Sequence, residues 1–189
     1  MKGTRGWPVR RGAMASAIAG VLAMALAAAT AHAQPPRPHV KFRVYPTEVF
    51  LDTLVSSRDT VAAPAAQVFS AVRAAYAALK IPRDWADSAN GQLGTLRMRA
   101  NNALGGELLS TYFNCGQGIT GPNADQWRLQ LAIVTFVQPA GEGKSRLGTG
   151  VAAEAQDMSG VSTAPAMCGS SGLLEARILK EVRARLGAP

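Results

Sequence analysis

The chain has 189 residues, with 20 Lys and Arg against 12 Asp and Glu, a formal charge of +8 and two histidines. Both histidines, His32 and His39, lie near the N-terminus, so the body of the chain lacks the imidazole that a His-built zinc or iron site, a Ser-His-Asp triad or a Cys-His pair needs. No Lys/Arg run exceeds two residues, and the basic excess therefore describes a mixed solvated surface and not a nucleic-acid patch.

The first 33 residues read as an export signal. Met1 to Gly12 carries Lys2, Arg5, Arg10 and Arg11 and no acid, Ala13 to Ala29 is apolar and Ala-rich, and Ala31-His32-Ala33 places small residues at the two positions a signal peptidase reads. Basic start, short apolar core and A-x-A site, in that order, describe a cleavable secretory signal. The other reading, an uncleaved anchor, must cross a bilayer with about 17 mostly Ala residues, the lower limit for a spanning helix. Cleavage after Ala33 leaves about 156 residues, a one-domain length, with a charge of about +4. The expected location is periplasmic or secreted, with no membrane span after cleavage. Residue 34 is Gln and not Cys, which disfavours a lipid anchor.

Residues 34–55 are expected to be a Pro-rich linker and an extended segment. Three prolines in Gln34-Pro35-Pro36-Arg37-Pro38-His39 hold the backbone extended and remove donors. Val40, Phe42 and Val44 alternate with polar residues, which fits a short strand or an extended tail lying on the domain. The single domain is expected over 56–189, opening with a strand from Ser56 to Val61. Pro64 suits the first turn of a helix running to Lys80, with Val68, Val72, Tyr76 and Leu79 at helical spacing and Ile81-Pro82 ending it. Ser88-Ala89-Asn90-Gly91 then signals a hairpin. In its second arm, Gln92 to Arg99, simple alternation puts Leu93, Thr95, Arg97 and Arg99 on one face and Gly94, Leu96 and Met98 on the other.

Glu107 to Asn114 reads as a strand with Leu109, Thr111 and Phe113 alternating, and Cys115 to Asp125 as a loop. Gln126 to Val137 is the clearest strand: Leu129, Leu131 and Ile133 alternate with polar or small residues before a continuous apolar end. After a loop at Pro139 to Lys144, Arg146 to Gln156 presents Leu147, Thr149, Val151, Ala153 and Ala155 on one face. Asp157 to Gly169 reads as a loop. Ser170-Ser171-Gly172 can cap a last helix, Leu173 to Leu186, with Leu174, Ile178, Val182 and Leu186 as its stripe and Gly187 as its stop. Tight turns between strands imply antiparallel pairing. The expected class is α+β: an antiparallel sheet of about five or six strands with two helices packed on one face.

The strand before Pro64-Ala65-Ala66-Gln67-Val68-Phe69, then Leu79-Lys80-Ile81-Pro82, Asp84 and Gly91-Gln92-Leu93-Gly94-Thr95, and the closing helix, resemble the helix-grip domains of BamC-type (NlpB-like) envelope proteins. The likeness covers Ser56 to about Arg99 best and the rest by element order. It implies a non-catalytic accessory role in the envelope, exercised through protein contacts. This chain differs in having one such domain, no lipid-anchor cysteine and a cysteine pair.

Cys115 and Cys168 are the only cysteines. In an oxidising compartment a lone pair is most simply one disulfide, worth roughly 4 kcal/mol for a loop of this length. Two buried thiols, or half a metal site, are the other readings. Each cysteine precedes a glycine at an element boundary, and the expected bond pins the last helix to the end of the sheet. Asp84 and Asp87, three apart, point to opposite faces of a strand, which spoils shared acid-base or calcium chemistry. The glycines at 116–121 and 141–143 join strands and do not lead into a phosphate-binding helix. No catalytic residue, metal or cofactor is expected. Arg97, Arg99 and Arg128 are candidates for an anionic lipid or glycan, or an ordinary solvent face. Trp85, Trp127, Tyr112 and Phe113 either line an apolar groove or fill the core. Two functional readings follow: a non-enzymatic envelope protein acting on a protein partner, or a periplasmic carrier of a small apolar or lipid-like ligand in a helix-sheet cleft.

Overall fold

The structure, a computed structural model, describes Gly3 and residues 36–187. The expected signal, 1–33, lies otherwise outside the described residues. Residues 35–189 cluster as one compact unit.

Among the described residues, thirteen strands, four α-helices and a 3-10 turn follow in order. β1 (His39–Val40) and β2 (Val49–Phe50) pair with each other and lead into the 3-10 turn Leu51–Leu54. Then come β3 (Asp59–Val61), α1 (Ala65–Ala78), β4 (Trp85–Asp87) and β5 (Gln92–Asn101). Next are β6 (Ala103–Leu104), β7 (Glu107–Leu108), α2 (Leu109–Tyr112), β8 (Phe113–Asn114), β9 (Gln117–Gly118), β10 (Gly121–Pro122) and α3 (Asn123–Gln126). The long hairpin β11 (Arg128–Pro139) and β12 (Ser145–Gln156), then β13 (Ala166–Ser170) and α4 (Leu173–Leu186), complete the chain.

The main sheet has seven antiparallel strands in the order β4-β5-β11-β12-β13-β8, with β3 also paired to β12. The fold is α+β, with α1 and α4 packed on one face. Val68, Val72, Ala75 and Tyr76 of α1 and Leu174, Ile178 and Val182 of α4 meet Leu129, Leu131, Ile133, Leu147, Val151 and Ala153 of the sheet. Apolar spacing of three and four on the helices, and of two on the strands, lets each element bury one side. A buried hydroxyl chain crosses the interface: Tyr76 Oη lies 3.0 Å from Thr135 Oγ1, itself 2.9 Å from Thr149 Oγ1. Burial pushes the Tyr76 phenol's pKa up. Helix α1 ends without glycine. Lys80 takes the left-handed position (φ 58°), and Ile81 N–H returns to the Tyr76 carbonyl at 2.8 Å, a Schellman-type stop. Gly187 (φ 66°) takes the left-handed position at the end of α4, as its sequence predicts.

The opposite face of the sheet is covered by residues 38–58, here called the strap. Packing thus begins before Ser56. Val40, Phe42 and Leu51 are buried against Ala132, Val134, Phe136 and Ala152. Glycines on β12 permit this. A Cβ at Gly150 would collide with the Leu51 carbonyl, and one at Gly148 would sit 2.6 Å from Val55 Cγ1 and 3.0 Å from Ser57 O. Glycine within a strand marks such a close backbone approach.

Four local expectations are corrected. The 107–114 segment is not one strand: Leu109–Tyr112 forms a helical turn that buries Leu109 and Tyr112 together. Asp125 Oδ1 accepts the Ser110 N–H at 2.7 Å, a cap supplied from 15 residues away. The 115–125 segment is no plain loop, because β9 and β10 pair and α3 follows. Cys168 lies on β13, opposite Ala153, and not in a loop. The alternation on β5 breaks at a bulge: Leu131 pairs with Met98 but Ile133 pairs with Thr95, so Ala132 opposes both Leu96 and Arg97. One extra residue reverses the facing of everything beyond it. Leu93 and Met98 both join the helix-side core, while Leu96 joins the strap side.

Candidate functional site

The expected disulfide is present. Cys115 and Cys168 are bonded, with their Cα atoms 4.2 Å apart. Both lie in the helix-side core. The bond ties the end of β8 to β13 just ahead of α4. Nearby, Ser171 N–H donates to the Tyr112 carbonyl and Ser171 Oγ to the Thr111 carbonyl, both at 2.9 Å. The start of α4 is thereby fixed to the short helix α2. A disulfide fits an oxidising compartment.

The seven other candidate residues divide among separate places. Trp85 packs on the strap-side cluster and Trp127 on the helix-side cluster, so the two indoles share no groove. Tyr112 and Phe113 are buried core residues, 6.4 Å apart edge to face. Arg99 and Arg128 come together and Arg97 does not join them. The bulge on β5 explains this: it separates Arg97, which is exposed, from Arg99 on the strap-facing row.

Arg99 and Arg128 line a polar cleft of about 210 Å³ with Arg43, Gln130, Glu154 and Gln156. Arg99 is opposite Gln130, and Gln130 is opposite Glu154, across three neighbouring strands. Arg43 comes from the strap. Its Nη1 donates to Gln156 Oε1 at 2.6 Å, and the next residue's N–H, Val44, donates to Glu154 Oε2 at 2.8 Å. Sequence reasoning missed Arg43 because nothing in 40–54 shows where the segment lies. The legible signal was on the other partner, in Gly148-x-Gly150 inside a strand.

Two apolar depressions flank this face and the helix ends. One, of about 480 Å³, is lined by Tyr45, Val49, Leu54, Val151, Ala152 and Met167, with Cys168 to Gly172 at its rim. It lies in front of an interruption in the sheet. On its outer edge β12 pairs with β3 only up to Leu147 and with β13 only from Ala153. Residues 148–152 have no strand partner on that side, nor any backbone partner from a turn or loop among the described residues. The other depression, about 540 Å³, lies between α1 and the hairpin tips, lined by Ala65, Phe69, Gly91, Val137 and Pro139. Neither Trp85 nor Trp127 borders it.

Asp87, one of the two carboxylates singled out earlier, stabilises a turn, as does Asp157. Asp87 accepts from Asn90 N–H (3.2 Å) and Asn90 Nδ2 (2.7 Å), shaping the Asn90-Gly91 hairpin. The Asp157 pKa is lowered, first by the Ser159 hydroxyl and then by the Ser159 and Ser162 N–H groups. Among the described residues, no three His, Cys, Asp or Glu side chains converge as a metal site, and no helix is long and apolar enough to cross a membrane. Comparison with known families and with characterised proteins gives no match for this chain.

Proposed function

We propose that this chain is an exported, non-enzymatic envelope protein, periplasmic or secreted, that acts by holding an extended segment of a partner protein. The observation that carries the reading is the apolar groove lined by Tyr45, Val49, Leu54 and Met167 beside β12, whose own residues 148–152 are buried. A groove beside a strand can seat an extended segment. An added strand gains affinity from main-chain bonds and specificity from pockets for alternate side chains. Tyr45 and Leu54, 43% and 39% exposed, stand ready as such apolar contacts. The A-x-A leader and the disulfide support export, and the likeness to BamC-type domains supports a role through protein contacts. His39 faces the Arg37 carbonyl at 3.0 Å and Glu48 at 3.8 Å, in the strap, with no hydroxyl or thiol as its hydrogen-bond partner.

A second reading, a carrier of a small apolar ligand, is favoured by the 540 Å³ depression beside Phe69 and Val137. One experiment separates the two: affinity capture from native envelope, with mass spectrometry of proteins and lipids, for the wild type, Leu54→Glu and Phe69→Glu. The partner reading expects a protein that Leu54→Glu loses and Phe69→Glu keeps, with new amide-exchange protection at 45–54 in the complex. A recovered lipid lost only in Phe69→Glu, with no protein dependent on Leu54, would replace it with the carrier reading.

A further inference from the structure

We infer that the cleft formed by Arg43, Arg99 and Arg128 binds a dianionic phosphate group, as a phosphomonoester or as free phosphate. The inference stands independently of the groove at 148–152. It begins with charge. Three guanidinium groups line one cleft of about 210 Å³. None of them is ion-paired: the ion pairs among the described residues are Arg37–Asp52, His39–Glu48, Arg183–Asp59 and Arg185–Glu181. Glu154 is the one acid in the lining, 4% exposed, with Oε2 already taken by the Val44 N–H. The lining therefore carries a net charge of two positive units.

Geometry supports the same ligand. Arg128 stands opposite Asn101 and Arg99 opposite Gln130, two residues along on the same face, so the two arginines are diagonal neighbours on adjacent strands. Like charges on diagonal neighbours repel, and an anion held between them relieves that repulsion. Arg43 closes the third side, aligned through Gln156 and through the Val44–Glu154 bond. Guanidinium forks suit the several oxygens of a phosphate, each able to accept paired N–H donors. A concave site with protein walls also focuses their field. A dianion matches the net charge, and a carboxylate supplies half of it. The small polar cleft admits a phosphate and a short substituent. Arg43 and Arg99 are exposed at its mouth, so a phosphate carried on a larger body can enter.

The test uses protein purified from expression of the full-length reading frame. Titration calorimetry at low salt measures inorganic phosphate and glycerol 3-phosphate. Flotation measures vesicles of phosphatidylcholine with and without phosphatidic acid. Saturable binding is expected, weakening with added salt and as pH falls from 7.5 to 5, over which a phosphomonoester, with a second pKa near 6, and inorganic phosphate both become monoanions. Arg99→Gln and Arg128→Gln should each weaken it about tenfold or more. Arg83→Gln, a cation away from the cleft, should leave it unchanged. Vesicle flotation that depends on phosphatidic acid and is competed by phosphate identifies a lipid source, and binding of the soluble esters alone identifies a free one. No binding of any of these probes, or equal affinity in wild type, Arg99→Gln and Arg128→Gln with unchanged melting curves, would overturn the inference.

Discussion

The two faces of the sheet are covered by different means. On one side two 14-residue helices bury regular stripes against alternating strand residues, and a disulfide locks the second helix to the sheet. On the other side a 21-residue strap with only short elements is held by three buried side chains, Val40, Phe42 and Leu51, and by the absence of side chains at Gly148 and Gly150. The helix face gains stability from periodic burial spread over many residues. The strap depends on a few close approaches, and both the cationic cleft and the interrupted edge of β12 border it. The irregular cover leaves a polar, cationic opening, whereas the depression beside α1 is mainly apolar.

Breaking the helix face should cost most. The double variant Cys115→Ala/Cys168→Ala should lose about 4 kcal/mol, the loop-entropy value for a loop of this size. Hydrogen exchange should rise first in α4, and chemical denaturation measures the total. Uniform loosening of strap and helix alike would show that the bond does not act through the helix. Next in size is Gly150→Ala, which sets a Cβ against the Leu51 carbonyl. Overpacking of this kind costs about 1–3 kcal/mol. Its exchange should increase at 38–58 while α1 and α4 keep theirs, and protection lost first in α1 would contradict the division between the faces.

The smallest effect sharpens the helix side. Tyr76→Phe removes one hydroxyl from a buried chain in which Thr135 and Thr149 still bond each other, for a loss of about 1 kcal/mol. Its pH dependence is more telling. Below about pH 10, the ordinary tyrosine value, the phenol is neutral in both states. Above that the unfolded chain ionises first, while burial keeps the folded Tyr76 neutral, so stability falls as pH rises past 10. Tyr76→Phe should lessen that fall, and identical alkaline curves for the two proteins would show that Tyr76 is not its source.

The same division explains what could be read from residues alone. α1, α4, β11 and β12 were legible because spacing of three and four, or of two, persists over a dozen residues. Cys115 and Cys168 could be paired on number and position. Arg99 with Arg128 was legible as a candidate, but Arg97 was misplaced because a bulge leaves no mark on alternation. The strand expected at 107–114 failed for a long-range reason. Its helical turn depends on a cap from Asp125 and on burial of Leu109 with Tyr112, neither of which local pattern reports. Arg43 was illegible because its place depends on a strap whose seat is made by residues about 110 positions later.

That separation also sets a timetable. Chains are made from the amino end, so the strap is the earliest described part of this domain to exist. Its seat includes Phe136 and Ala152, and the polar contacts from Arg43 and Val44 reach Gln156 and Glu154, 113 and 110 residues on. Until β11 and β12 have been delivered, Phe42 and Leu51 have nothing to rest on. The first segment out is thus among the last to settle, and a newborn chain spends most of its emergence with both residues available to chaperones.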